Sequence, residues 1–231
     1  GEEAFMSSFI LKGKWNPIGI SARAYTTFLN HQRANVFDAV WETVPELERT
    51  LEQAGHLNRV INAASGRGSI PGFLEGTSPL LNALLFSPRY LISRFQLVFE
   101  TFNPSSTAVA RQEALKALTA WSAANLAILQ LGNMAGLWEV ELDPRSSDFS
   151  KGKIGPVRYD FWGGYQQIAR LGAQLVTGEG KSLTTGTIYK AGRPESLVRF
   201  ARTKFAPIPA LAYDLTLGEG KDVIGRDLTP L

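Results

Sequence analysis

The sequence has no cysteine. Disulfides, thiolate-held metals, iron–sulfur clusters and cysteine nucleophiles are therefore excluded. Its two histidines, His31 and His56, leave almost no room for a histidine-based metal site. No Gly-x-Ser-x-Gly elbow and no His-Glu-x-x-His is present. Serine hydrolysis needs a base within reach of the nucleophile; His31 reads as mid-helix and His56 as part of a turn between helices, so both are expected to be structural or at the surface. Charged residues make up only 19% and hydrophobic residues 44% of the 231 positions, which excludes a disordered chain. Like charges never run five or six together. The start, GEEAFMSSF, is acidic and lacks the basic region and apolar core of a signal peptide. It opens on Gly rather than Met, as a fragment would.

What is present is mostly helical patterning. Residues 1–20 read as irregular, broken by Gly13, Pro17 and Gly19. From Ser21, an N-cap, the residues Tyr25, Phe28, Leu29, Val36, Phe37, Val40 and Trp41 recur at helical spacing. Pro45 suits the first turn of a helix over 45–54, with Leu47, Leu51 and Ala54 inward and Gly55 as its stop; another helix follows over 56–64. Residues 65–78, rich in Gly and Ser, read as a loop. Ser78-Pro79 and Ser87-Pro88 are helix starts with serine caps. The second opens PRYLISRFQLVFETF (88–102), apolar on most faces, as in a helix buried within something larger. Residues 107–136 read as one long helix.

Beyond Gly136 the period changes. Trp138, Val140 and Leu142 alternate with Glu139 and Glu141, which predicts a short strand. KIGPVRY predicts a hairpin turning at Gly155-Pro156. A helix is expected from Asp160, with Tyr165, Ile168, Leu171, Leu175 and Val176 on its apolar side and Gly178 as its stop. Residues 179–193 read as a glycine-rich connection. Pro194 opens a helix ended by Pro207 and Pro209, and ALAYDLTL closes at Gly218. LVTGEGK (175–181) is echoed by LTLGEGK (215–221), a reused helix stop rather than a repeat. Gly180-Lys181-Ser182 is no phosphate-binding P-loop, because Leu175 stands where the leading glycine is needed.

The expected fold is mainly α, a multi-helix domain with a small β-hairpin around residues 137–160. The segments are an irregular start (1–20), a helical region (21–136), the hairpin region (137–160) and a C-terminal helical region (161–231) that can share one domain with 21–136. The predicted core contains Phe28, Phe37, Trp41, Leu91, Phe95, Leu126, Leu129, Ile168, Leu175 and Phe200.

Three features bear on function. Residues 145–204 carry eleven Lys/Arg against four Asp/Glu, and Lys151, Lys153, Arg158 and Arg170 are the candidates for facing DNA phosphates. The 22 residues Ala117–Trp138 carry no charge and would span about 33 Å as a helix, enough for a bilayer core. Trp121 and Trp138 lie near the ends of this stretch, and Gly132-x-x-x-Gly136 is a close-packing pattern, so it is either a membrane-entering segment or a buried helix. Thr119, Ser122, Asn125, Gln130 and Asn133 favour the buried helix, since each would need a polar partner in hydrocarbon. Finally, Asp143, Asp148 and Asp160 bracket the hairpin near Glu139 and Glu141. Such carboxylates could act as an acid–base pair in a hydrolase or hold a hard cation, but Arg145, Lys151, Lys153 and Arg158 are local partners, so ion pairing is expected. No metal site and no cofactor are implied.

Four strings taken in order, SARAYTTFLNHQRANVFDAV (21–40), LLFSPRYLISRFQLVFETF (84–102), DPRSSDFSKGKIGPVRYDFWGGYQQIARLGAQLVTG (143–178) and RFARTKFAPIPALAYDL (199–215), resemble a block of very large phage-encoded polyvalent proteins. The DPRSSDF…DFWGG…QLVTG string is the specific part. The resemblance implies a non-enzymatic virion component, internal to the particle or ejected with the genome into the host envelope or cytoplasm. Its implied partners are other virion proteins or copies of itself, with DNA or the host membrane as further candidates. It carries over no catalytic residue. A membrane-active segment forming a conduit across the host envelope is the alternative from residues 117–138.

Overall fold

A computed structural model describes residues 17–70, 72–218, 220, 221 and 228. It is mainly helical, with 64% helix and two small antiparallel sheets. The chain divides into two compact units between Thr119 and Ala120. The boundaries expected at 136/137 and 160/161 follow changes of secondary structure, whereas this division falls inside a helix.

In the first unit, α1 (Pro17–Thr43), α2 (Leu51–Ala64), α3 (Ser78–Leu84), α4 (Pro88–Phe102) and the first part of α5 (Ala108–Met134) follow one another. The sequence placed 17–20 in an irregular start, but α1 begins at Pro17, since proline is tolerated where the first helical N–H has no acceptor. The rest of that irregular segment lies outside the described residues. The helix expected over 45–54 is a 3₁₀ turn, Glu46–Glu48, and α2 then runs unbroken through Gly55. Thr50 caps α2 by accepting the Gln53 N–H at 3.1 Å. Gly55 costs α2 about 1 kcal/mol of propensity, which the packing of Leu57, Val60, Ile61 and Ala63 offsets. Leu47 and Leu51 therefore point outward, not inward. The loop expected over 65–78 contains a 3₁₀ turn, Gly72–Thr77, and α3 is preceded by Thr77 as its cap residue. Ser87 starts α4 as expected, but in a left-handed conformation (φ 50°) and with no capping hydrogen bond.

The main contact of this unit is α2 on α4, and it inverts the expected core. Leu57, Val60 and Leu97 are buried there, each contributing about 1.5–3 kcal/mol. So are Ser93 and Glu100, while Phe95, Phe99 and Phe102 face outward. Ser93 fits because its hydroxyl donates to the Tyr90 carbonyl at 2.6 Å, and Glu100 because Arg59 Nε reaches it at 3.3 Å. Of the ten predicted core residues only Leu129 is buried, at 3% exposure; Phe28, Phe95 and Leu126 are exposed and the other six half-buried. Helical spacing reports that one face is apolar, not that a neighbour covers it.

The second unit holds the end of α5, then β1 (Glu139–Val140), β2 (Gly152–Ile154), β3 (Val157–Tyr159), α6 (Tyr165–Thr177), β4 (Glu179–Lys181), β5 (Ile188–Lys190), α7 (Arg193–Arg202) and α8 (Pro207–Thr216). The sheet order is β1-β2-β3, all antiparallel, and Ile154 pairs with Val157 across the Gly155-Pro156 turn, where Gly155 takes φ 54°. The helix expected from Asp160 starts five residues later. Asp160 Oδ1 accepts the Trp162 N–H at 2.9 Å, and Gly163 and Gly164 (φ 54° and 93°) hold the chain out of helix. Gly178 (φ 70°) ends α6 as expected, its N–H donating to the Gln174 carbonyl. The connection expected over 179–193 is instead the β4–β5 hairpin. Pro207 and Pro209 do not end a helix: they occupy the first turn of α8, where their missing N–H groups cost nothing.

Candidate functional site

In the second unit, residues within or directly flanking the DPRSSDF, DFWGG and QLVTG segments are joined by hydrogen bonds and ion pairs. Asp143 accepts two bonds from the Arg145 guanidinium, at 3.0 and 2.9 Å, and the backbone N–H of Arg145 at 3.0 Å. The third arm of Arg145 reaches Glu179 at 2.6 Å. Lys181 pairs with Glu141, whose other oxygen accepts the Asp143 N–H at 2.9 Å. Trp162 Nε1 donates to the Ser150 carbonyl at 3.0 Å, and Gln166 Nε2 to the Ser147 carbonyl at 3.2 Å. β4 thereby fastens to the 143–146 turn, with Ser146 and Lys181 in a parallel bridge.

The electrostatics of this cluster are those of a clasp. Hydrogen bonds from Arg145 pull the Asp143 carboxyl down to about 2, and Asp143 and Glu179 raise the Arg145 guanidinium above its ordinary range. Glu141 is lowered, first by its bond from Lys181. General acid catalysis at neutral pH needs a carboxyl raised toward 7, and these two move the other way. The remaining carboxylates singled out by the sequence are also engaged: Glu139 lies 3.6 Å from Lys153, Asp148 lies 3.0 Å from Arg158, and Asp160 closes its turn. Among the described residues no group of three or more His, Asp or Glu could hold a metal ion.

The candidate DNA contacts divide by position. Lys151 precedes β2, and Lys153 and Arg158 are direct cross-strand partners on the β2–β3 hairpin, each with its carboxylate. Arg170 lies on α6, where burial lowers its pKa, Tyr189 opposes that shift and Arg199 adds to it. The structure brings the first three together and leaves Arg170 on another element.

The small-residue pattern at the end of α5 is used within the chain. The Trp138 indole lies on Gly132, where a Cβ would enter the ring, and its Nε1 donates to the Leu129 carbonyl at 3.0 Å. Gly152 meets the same indole, and Phe161 lies 5.6 Å from it. Gly136 (φ 70°) follows the helix end, exposed. Trp121 is exposed, and its carbonyl accepts the side chain of buried Asn125 at 2.8 Å. No described helix is long and apolar enough to cross a membrane.

Two groupings in the first unit escaped sequence reasoning. His56, within α2 rather than in a turn, has Nδ1 2.8 Å from Ser106 Oγ, with Glu52 3.9 Å from Nε2. That resembles a nucleophile and its base, but Ser106 is only 4% exposed, and the pair ties α2 to the turn before α5. The second grouping is a cleft of about 750 Å³ between α1, α2, the 67–70 loop and the start of α4. Among the described residues Arg33, Arg67, Arg89 and Asp38 line it, with Asn30, Asn58, Asn62 and Phe37 among the other walls. Arg33, 8% exposed, is held by Ser65 Oγ at 2.7 Å and Asn30 Oδ1 at 3.0 Å. Arg89 donates to the Gly68 carbonyl at 3.3 Å, and the Gly68 N–H returns a bond to the Arg89 carbonyl at 3.0 Å. Only glycine fits at 68: a Cβ would lie 2.5 Å from both Arg89 O and Ser93 N. The lone trace of this cleft in the sequence is Ser65-Gly66-Arg67-Gly68-Ser69, which reads only as a loop.

No protein-family model matches the chain, and no curated protein and no solved structure matches it.

Proposed function

We propose that the chain is a non-enzymatic assembly component of a phage virion, internal or ejected, and that it packs through its helices onto further copies of itself. The observation that supports this most is the outer face of α4. Val98, Phe99 and Phe102 fall within an arc of about 100°, and Phe99 and Phe102 are 64% and 77% exposed. The opposite face, Ser93, Leu97 and Glu100, is the one buried on α2. A contiguous aromatic stripe on the outside of a folded unit marks an interaction surface.

A second copy is the favoured occupant because the stripe is uncharged. Set against its own image about a two-fold axis, it desolvates no ion and meets no like charge. Three side chains fall short of the about 800 Å² per partner of a standard interface, so the association is weak and depends on high local concentration, as inside a particle. The virion setting rests on the resemblance of the four strings to the phage polyvalent proteins.

The test is sedimentation equilibrium over a wide concentration range, on the wild type and on a Phe99→Ser/Phe102→Ser variant whose helix content is checked by circular dichroism. Concentration-dependent self-association that the folded variant loses is the expected result. A wild type monomeric throughout, or a variant that associates equally well, overturns the reading.

A further inference from the structure

We propose that Arg170, Arg199 and Lys204, gathered where α6 packs on α7 beside β5, form a binding site for a phosphate group. The site lies in the second unit and does not rest on the assembly reading, whose stripe belongs to the first.

The first argument is how the cations of 145–204 are partnered. Arg145, Lys153, Arg158, Lys181 and Arg202 each pair with a carboxylate. The contacts of the proposed three are to neutral groups among the described residues. Arg199 donates to the Tyr189 hydroxyl at 3.4 Å, and Lys204 donates to the Gln167 carboxamide and lies 4.6 Å over the Phe200 ring. Arg170 Nε is cut off from solvent and has no hydrogen-bond partner there. The acidic residue nearest to Arg199 on α7 is Glu195, one turn earlier, and its carboxylate turns back over Gly192, where it fills the place of a Cβ.

Geometry supplies the second. Gln167, which holds Lys204, stands one turn before Arg170 on α6. Tyr189, which holds Arg199, pairs with Gly180 across the β4–β5 hairpin, and its ring lies so close that a Cβ at Gly180 would come within 2.6 Å of it. Two neutral side chains on fixed elements thereby set the positions of two cations around the third, and a site already ordered loses little entropy when it binds. Donors remain to be used: Lys204 has spent one of three N–H groups and Arg199 one of five.

The third argument is electrostatic. Burial lowers the pKa of Arg170, with Tyr189 opposing the shift and Arg199 adding to it, and burial also lowers that of Lys204. Two half-buried cations are thus held with a third nearby, at a cost in desolvation and like-charge repulsion that a bound anion would remove. Perturbed groups of one sign gathered at one place are the mark of a site. A phosphate suits three cations better than a carboxylate does, because it offers three or more oxygens rather than two, and the planar fork of a guanidinium takes them in pairs.

The same phosphate chemistry can come from a small phosphate ester or from a nucleic-acid backbone, and the test separates them. The isotopically labelled full chain is titrated at constant ionic strength with inorganic phosphate, ribose 5-phosphate and a thymidine homopolymer strand, and the arginine Nε–H and backbone amide signals are followed by NMR. All three probes are expected to shift Arg170, Arg199 and Lys204. Arg170→Gln should weaken binding about ten- to a hundredfold, the loss of one charged hydrogen-bond partner. Arg199→Gln, at an exposed and screened position, should weaken it about two- to fivefold. Lys151→Gln, which removes the same charge away from the site, should leave binding unchanged. A strand that binds more tightly than ribose 5-phosphate assigns the source as nucleic acid; one that binds no more tightly assigns it as a small phosphate ester. If Arg170→Gln does not fold, the wild-type shift map and Arg199→Gln decide. No shift at these three residues with any probe at millimolar concentration, or folded site variants that lose no more than Lys151→Gln, overturns the proposal.

Discussion

The Trp138 indole rests directly on Gly132, six residues back in the chain, and hydrogen-bonds to the Leu129 carbonyl beside it. The glycine that reads as a helix-packing motif is thus a seat for a side chain of its own chain. Gly132→Ala should destabilise the protein by about 1–3 kcal/mol, the usual cost of overpacking, although alanine is the better helix former. Gly172→Ala, mid-α6 with nothing within 4 Å of the added Cβ, should instead stabilise by about 0.5–1 kcal/mol. Urea denaturation of both variants checks the opposite signs.

Acid should loosen the second unit through the Asp143–Arg145 pair. The folded-state pKa of Asp143 is depressed to about 2 from an ordinary 3.8. Its contribution is therefore complete above about pH 4 and is lost as pH falls toward 2. The wild-type urea midpoint should drop across that window. Asp143→Asn should start lower at neutral pH and drop less.

Gly68→Ala should be among the most damaging loop substitutions in the first unit. The new methyl meets backbone on two sides, Arg89 O and Ser93 N, and neither can rotate away. A loss of about 1–3 kcal/mol is expected, together with altered amide shifts at Arg89. An unperturbed Arg89 would show that the loop does not sit on α4.

Leu57 and Leu126 separate the observed core from the expected one. Leu57, fully buried between α2 and α4, should cost about 2–5 kcal/mol as alanine. Leu126, exposed on α5, should stay within about 0.5 kcal/mol. Thermal unfolding of the two variants gives the comparison.

Ser106→Ala should cost about 1–3 kcal/mol, because it leaves His56 Nδ1 without its partner beside a buried turn. Hydrogen exchange at the first turn of α5 should quicken with it.

What the sequence determines by itself is local. The start of α4 follows from Ser87-Pro88, the β2–β3 turn from Gly155-Pro156, and the end of α6 from Gly178, because each signal acts through the φ range and N–H supply of its own residues. The ion pairing of Asp143 with Arg145 and of Asp148 with Arg158 was also legible, from opposite charges close in the chain. Tertiary structure decided the rest. The β4–β5 hairpin has no apolar alternation to announce it, and it is held by its ladder and by Arg145 reaching Glu179, 34 positions away. Which face of α4 is covered depends on where α2 lies, and so Ser93 went inside and Phe99 outside. The arginine cleft draws on residues from Asn30 to Arg89, brought together by packing between helices whose order in space no local pattern encodes.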